Sequence, residues 1–485
     1  MKYIVLGGGL SGLACGTSLR LGGHDVTVIE KQAEVGGLAK CFRADGYAFD
    51  YGPHYLFGPE IVGLLRETLA PELEVMRLAG TKEKMFFRGR YFNFPFDPKD
   101  LLRHMEPSLV PLVLLELMAR NVFLRFSDAD GGNNVEDWVV RAVGRRVYDY
   151  ISLAGYIEKL YGLSARQISQ DWGVQKLKFL SRWREANLFK LGLKALQEER
   201  RVKQNVINYP PGGTDRIPRG VVATYLKSGG ELLCEAEATV VELRDGRVSV
   251  QLRRHGVEQA VEGDFLVSTI PIGRLVRMLQ PTPPAAVMDA ARFLRHRMLL
   301  LFFLCLNKER ALDNASIYFT EPQFLFRRIT EFKHLSPAMA PDGKTSLCVE
   351  ITHFEDESLA TDDPAQLLGV VVDQLEGGGL LNPGDVGAHH FLRVPNTYPV
   401  YEVGYPEALE GLLNYLATHD NVISIGRQGL FFYNLMHNCM LGGYQVGQQL
   451  GTGDRQGRRK VIESVYEERK AKYRRSGKSA TLKRA

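Results

Sequence analysis

The sequence predicts an α/β protein in which a discontinuous Rossmann-like domain, built on a mostly parallel sheet, carries inserted helical and mixed β regions. Three observations predict it. The chain opens with an apolar strand, a glycine-rich turn, a helix and a second strand within residues 2–31. A long stretch from 61 to 205 then has the spacing of helices, as in "VEDWVVRAVGRRVYDYISLAGYIEKLYG". Strand-then-glycine texture returns at 206–300 and again at 421–450, the pattern of one sheet interrupted twice.

The opening unit carries the most chemistry. Gly7, Gly9 and Gly12 follow the first strand in G-x-G-x-x-G spacing, with Leu10 and Ser11 inside the turn and Glu30 and Lys31 closing the second strand. Gly7 supplies the tight bend, Gly9 lets backbone approach a pyrophosphate, and Gly12 lets helix and strand pack closely. The helix N-terminus adds unsatisfied N–H groups and a positive dipole end, both favourable to an anion. Glu30 suits a ribose hydroxyl and disfavours a 2′-phosphate, so a dinucleotide is expected. Further on, "KMFFRGRYFNFPFDP" (84–98) reads as a hairpin turning at Gly89, and "GDFLVSTIPIG" (263–273) as a buried strand ending at Pro271. The runs "MLLLFFLCL", "SLCVEITHF" and "VGAHHFLRV" read as strands of a separate sheet. The expected domains are a nucleotide-binding domain in three pieces (1–60, 206–300, 421–450), a mainly helical insertion (61–205), a β-rich substrate-side domain (301–420) and a basic tail (451–485).

A chain of 485 residues with 45% hydrophobic and 24% charged positions has ample core for several packed domains. Its net charge of +5 is unevenly placed: 451–485 holds 12 basic and 4 acidic residues, leaving the body near −3. The body is therefore not expected to bind nucleic acid. The tail reads as a surface helix with a frayed end, with peripheral contact to an acidic membrane surface as the alternative. Six scattered cysteines, without C-x-x-C pairs or nearby histidines, indicate neither zinc nor a disulfide framework. No secretory leader is expected, and a cytoplasmic location follows. The apolar segment 108–126 is interrupted by Pro111, Glu116 and Arg120, which predicts a buried helix, with a monotopic membrane patch as the alternative.

After Glu30, "EVGGLAKCF" adds Gly36, Gly37 and Leu38. This run resembles the pattern of the flavin-dependent amine oxidase and protoporphyrinogen oxidase-like superfamily, where it lies along the FAD ribityl-pyrophosphate. The resemblance implies FAD. It extends to "GGELLCEAEATVVEL", where Thr239 and Val240 would meet the adenine. It also extends to "ISIGRQGLFFYNLMHNCMLGG", where Gly426 and Arg427 would lie near the pyrophosphate and the helix from Met436 would point at the flavin. An FAD-binding domain of this kind gives the expected fold its cofactor.

"DYGPHYLFG" (50–58) fits neither a core strand nor a plain exposed turn. It resembles the glycine and histidine loop of UDP-galactopyranose mutase-like proteins, which implies that Gly52, Pro53 and His54 cross the flavin beside N5. The same resemblance gives Arg297 and Tyr433 as phosphate-contacting cleft residues and compares "KLYG" (159–162) with a Lys-x-Trp-Gly element. The departures are Tyr161 for tryptophan, Leu435 and His437 for aspartates, and no clear second arginine motif beyond Arg182 or Arg184. Two functions follow as expectations. The favoured one is an FAD-dependent oxidoreductase that takes a hydride from a small molecule onto flavin N5, with His54, Arg297 and Tyr433 as catalytic candidates. The alternative is a redox-neutral mutase of a nucleotide sugar, with NADH or NADPH as the candidate external reductant.

Overall fold

The computed structural model describes residues 1–79, 83–94, 98–126, 132–177, 206–244, 246–355 and 363–478. Five parallel strands form the nucleotide sheet in the order Val422–Ser424, Phe265–Ser268, Lys2–Leu6, Asp25–Ile29, Glu231–Leu233. The five strands come from three separate stretches of chain, 2–29, 231–268 and 422–424, so the sheet closes only when the chain returns twice. The first strand is central because its run Tyr3–Leu6 is apolar on both faces and buried on both. A four-stranded sheet, Ala236–Arg244, Arg247–Arg254 and Val257–Gly263 with the short Leu279–Gln280, packs against the strands Lys2–Leu6, Asp25–Ile29 and Phe265–Ser268.

A second sheet, the roof sheet, has seven strands. Its order is Val386–Pro399, His296–Leu306, Thr345–His353, Arg328–Thr330, Ser316–Phe319, Glu83–Phe87, Arg90–Asn93. The strand His296–Leu306 is apolar at every position from Met298 because each face meets a core: Leu299, Leu301 and Phe303 enter the main core, while Leu300, Phe302 and Leu304 enter a smaller one. The hairpin foreseen at Gly89 is present, with Lys84 opposite Asn93 and Phe86 opposite Tyr91. It lies within the stretch read as mainly helical yet supplies two strands to this sheet, pairing parallel to Ser316–Phe319. The helices of the insertion, among them Val135–Val143 capped by the Asn134 side chain, pack beneath.

The helix Val110–Phe126 buries Val113 and Leu117 and leaves Leu112, Leu115 and Met118 exposed. Among the described residues, no helix is long and apolar enough to cross a membrane. The tail forms a helix, Arg455–Lys478, but it is not a loose surface element: Ile462, Tyr466, Arg469 and Lys470 are buried against the body. Part of its charge is taken up internally, Arg455 and Arg459 pairing with Asp420 and Arg474 with Glu410.

The first helix, Leu10–Leu21, is clasped by the helix Met436–Thr452 at two glycines. A Cβ on Gly443 would overlap the Ser11 carbonyl oxygen, and one on Gly447 would stand 2.7 Å from that of Cys15. Neighbouring Gly442 faces open space. Gly443→Ala is therefore expected to cost about 1–3 kcal/mol through overpacking, whereas Gly442→Ala should be neutral or stabilising by up to about 1 kcal/mol through helix propensity. Urea unfolding of the two variants checks the contrast.

Candidate active site

At the end of the first strand the chain turns through Gly7, whose φ of +106° excludes a side chain and whose Cβ would strike the Thr269 hydroxyl. Its N–H donates to the Ile29 carbonyl at 2.8 Å. Gly12 has no room either, since a Cβ would overlap the Gly7 carbonyl oxygen. Gly9 differs: a Cβ there meets nothing within 4 Å, so the protein leaves this point of closest approach vacant of its own atoms. The helix begins at Gly9 with no side-chain cap and no acid in its first turn, so its leading N–H groups keep their affinity for an anion. Leu10 and Ser11 are buried in that first turn, and Gly426 lies against Ser11, with no space for a Cβ beside its hydroxyl.

The rest of the cradle assembles around this turn. Glu30 accepts the Gly8 N–H at 2.8 Å on one oxygen and the Gln32 N–H at 2.9 Å on the other, which fixes its carboxylate at the strand end. Lys31 beside it is exposed. The Gly36 N–H donates to the Gly8 carbonyl at 2.8 Å, and Gly37 lies over Gly9, with half-buried Leu38 following. The strand carrying Thr239 and Val240 starts against Glu30, the Ala236 N–H donating to the Glu30 carbonyl at 3.0 Å, and it bulges between Ala238 and Val240. Met436 opens the helix Met436–Thr452, again uncapped and without an acid in its first turn. These features fit a dinucleotide: open backbone at Gly9, free amides at the first helix and a fixed acid at the ribose end. The Arg427 guanidinium donates to the carbonyls of Asn434 (2.8 Å) and Thr397 (2.7 Å) and lies 4.1 Å from the Tyr433 ring centroid.

The loop 50–58 is tied down at its start by Asp50. That carboxylate is wholly buried, accepts bonds from the Tyr209 hydroxyl (2.7 Å) and the Thr214 N–H (3.0 Å), and is pushed up to about 6 by burial. Gly52, at φ +94°, shows what the backbone approaches: a Cβ would stand 3.2 Å from both Arg328 and Glu350. Half-buried Pro53 and His54 follow. The His54 Nδ1–H donates to the Gly52 carbonyl at 2.8 Å, leaving Nε2 as an acceptor. Burial lowers this imidazole to about 4, with Arg427 and Arg328 acting in the same direction, so it is neutral at physiological pH.

Arg328 and Glu350 belong to a cluster that the sequence reading missed. The strand register places Tyr318, Arg328 and Glu350 side by side across three strands of the roof sheet. Glu350 takes Arg328 at 2.6 and 2.9 Å and Arg327 at 2.6 Å. Arg328 also donates to the Tyr318 hydroxyl, and Arg327 to that of Tyr398. Burial alone would raise the Glu350 carboxyl, but the two guanidiniums outweigh it and hold it below the ordinary range. Tyr398 stacks on Tyr433 at 5.6 Å between centroids, and the Lys176 ammonium lies over the other ring. Burial pushes the Tyr433 phenol up, yet Lys176, Arg427, Arg327 and Arg328 together bring it down to about 7. Signals for this cluster did exist: paired arginines in "FLFRRITEF" and a lone acid in the apolar run "SLCVEITHF".

Arg297 stands elsewhere in its bonding. It donates to the Thr352 carbonyl at 2.8 Å, lies over the Phe354 ring and fills the space at Gly162, where a Cβ would collide with it. Lys159 donates to the carbonyls of Glu321 and Phe326, and burial lowers it to about 7. Tyr161, the departure at the tryptophan position, is buried edge-on to Trp172. His437 packs edge-on to Phe57. Arg182 and Arg184 lie outside the described residues, as do positions 95–97 of the segment 84–98.

Fold and cradle together define a dinucleotide-binding protein whose His54 loop lies against the charged cluster of the roof sheet. The chain belongs to the flavin-containing amine oxidoreductase family, whose pattern matches residues 10–446. The 4,4'-diapolycopene oxygenase of Methylomonas sp is 22% identical over 414 residues, covering 78% of this chain and 81% of that one. A 4,4'-diapophytoene desaturase of Staphylococcus aureus (strain bovine RF122 / ET3-1) is 30% identical over 115 residues, a match that spans only 23% of either chain. Among solved structures, reduced UDP-galactopyranose mutase superposes with a TM-score of 0.77 at 19% identity, over 95% of this chain and 98% of that one. Cyclohexylamine oxidase from Brevibacterium oxydans IH-35A gives 0.61 at 15% identity, over 96% and 99%. At these identities the structural likeness is one of fold.

Two outcomes are expected. Gly9→Val should leave the FAD-free protein within about 0.5 kcal/mol of wild type, because nothing is displaced, yet weaken FAD retention at least about tenfold by occupying the phosphate approach. Equilibrium dialysis and thermal unfolding measure both. Glu350→Gln should destabilise by about 3–5 kcal/mol at pH 7 by leaving two buried guanidiniums without their counter-charge. The Glu350 contribution is complete above its ordinary value of 4.5 and is lost as pH falls toward its lowered folded value, so the gap between variant and wild type should shrink in acid unfolding.

Proposed function

We propose that this oxidoreductase acts on a small molecule bearing an anionic group, held in the cleft between His54 and Tyr433 beside FAD. The observation that carries this reading is the convergence of Arg327, Arg328 and Arg427 around Tyr433 and Tyr398, with Arg327 and Arg328 sharing Glu350. Concentrating positive charge in a half-buried cleft is unfavourable unless an anion offsets it. Guanidinium forks and phenols then donate in fixed geometry to a carboxylate or phosphate. An amine cation, the substrate class in the name of cyclohexylamine oxidase, would be repelled by the same groups.

Bound in the glycine cradle, FAD would supply a two-electron acceptor for a hydride from a substrate C–H bond. The protein's part is to orient and to manage protons. His54, at about 4, is too weak a base to hold a proton at neutral pH, so its free Nε2 accepts a hydrogen bond and orients the substrate. Tyr433, near 7, is the group of the cluster suited to give or take a proton there. Tyr51, Tyr55 and Phe57 pack against the main core around the loop and limit water.

A redox-neutral mutase acting on a nucleotide sugar is the second reading, favoured by the Tyr398–Tyr433 pair and adjacent guanidiniums, which equally suit a diphosphate. One experiment separates the possibilities. Purified yellow protein is mixed anaerobically with carboxylates, phosphate esters, nucleotide sugars and amines, and separately with NADH and NADPH, following flavin bleaching and product mass. Bleaching by an anionic compound supports the oxidoreductase reading. Isomerised nucleotide sugar of unchanged mass, formed only after prior reduction, supports the mutase, and bleaching by amines alone contradicts the anionic site.

His54→Ala should keep FAD and lower turnover by about 10–100-fold, read as kcat at matched flavin content. Affinity for the anionic ligand should fall as pH rises through about 7, because the Tyr433 phenolate repels it, and Tyr433→Phe should flatten that profile.

A further inference from the structure

We infer that Arg469, in the C-terminal helix, is a positioning residue that fixes the loop 430–435 and thereby places Tyr433 and the start of the helix at Met436. Its side chain is 1% exposed. Nε donates to the Leu430 carbonyl and Nη2 to the Phe431 carbonyl, both at 2.9 Å. The guanidinium lies among the rings of Phe432, Tyr473 and Tyr405, at 4.8, 5.5 and 6.0 Å from their centroids.

The second observation is in the loop itself. Phe431 has φ +45°, a left-handed conformation that a bulky residue keeps only when its surroundings enforce it. The ring is fully buried against His296, Tyr401 and Tyr405, and the carbonyl is held by Arg469. The next residues are gripped in turn: the Tyr433 N–H donates to the Tyr401 hydroxyl at 2.8 Å, and Arg427 holds the Asn434 carbonyl. The six residues 430–435, ahead of the helix at Met436, are thus held in one conformation, and Arg469 is the grip that the C-terminal helix supplies.

The C-terminal helix is anchored well enough to act as this grip. The Tyr466 hydroxyl accepts the Ser424 N–H at the end of the edge strand of the nucleotide sheet, at 2.9 Å. Lys470 donates to Asn414 at 2.7 Å, and Arg474 pairs with Glu410, both on the helix Tyr405–Leu416. The helix therefore straps that strand end to a neighbouring helix, with Arg469 midway along the strap. A tail that looks like a solubilising appendage by charge has a defined task in shaping the site.

Arg469→Lys and Arg469→Met in the full-length, FAD-loaded protein test this. Lysine keeps the charge but cannot span both carbonyls, so a change in that variant reports geometry. The Tyr433 titration is followed by ultraviolet difference absorbance, identified by its loss in Tyr433→Phe, and FAD affinity by ultrafiltration. In both variants the Tyr433 midpoint should move up by about one pH unit or more as the ring leaves Lys176 and Arg427, and FAD should bind about 10–100-fold more weakly. Folded Arg469→Lys protein with wild-type values for both would overturn the inference, and that variant decides if Arg469→Met does not fold. The FAD readout rests on the functional reading above, but the Tyr433 readout does not. Wild-type protein that takes up no FAD would count against the former, and an unmoved Tyr433 midpoint against the latter.

Discussion

The cleft depends on one carboxylate. Glu350 sits inside the roof sheet with no exposed surface, and two guanidiniums from consecutive residues share it. Without it, Arg327 and Arg328 would repel each other in a medium far less polar than water. With it, their remaining donors are free to reach outward to the Tyr398 and Tyr318 hydroxyls, and the surplus of positive charge is passed to the Tyr398–Tyr433 pair. The loop of His54 can lie on this arrangement because Gly52 has no side chain to hold it away. The neutral imidazole follows first from burial, with Arg427 and Arg328 acting in the same direction, and the acidic phenol from Lys176 together with Arg427, Arg327 and Arg328.

Cofactor cradle and cleft are built by different means and joined at few points. The cradle is a matter of missing side chains: Gly7, Gly12, Gly426 and Gly443 let backbones and the Ser11 turn nest together, and Gly9 leaves the space that a pyrophosphate needs. The cleft is a matter of charge. Asp50, bonded to Tyr209 and Thr214, ties the His54 loop to the returning nucleotide-domain chain, and Arg469 ties the loop before Met436 to the C-terminal helix. These ties keep the two halves of the site in register although their residues are hundreds of positions apart.

Much of the cradle was legible in the sequence because its constraint is local. The spacing of Gly7, Gly9 and Gly12 and the acid at position 30 fall within one strand-turn-helix-strand unit, and in the roof sheet the hairpin turning at Gly89 is equally local. The charged cluster was not legible. Arg328 acquires its meaning only from a strand register that sets it opposite Glu350, 22 residues away and unpredictable from composition. Likeness gave Arg297 as a phosphate-contacting arginine, and its side chain donates to the Thr352 carbonyl and packs on Phe354. The tail misled for a similar reason: its charges dominate the pattern, while the buried Tyr466 and Arg469 that give it a role are single residues in a polar run.

The most direct test of a cationic cleft beside FAD is the visible flavin spectrum of the loaded protein during titration with pyrophosphate, against sodium chloride at matched ionic strength. The account predicts a saturable change in the flavin bands with pyrophosphate that chloride does not produce. A flavin spectrum indifferent to pyrophosphate but perturbed by cyclohexylamine would contradict it.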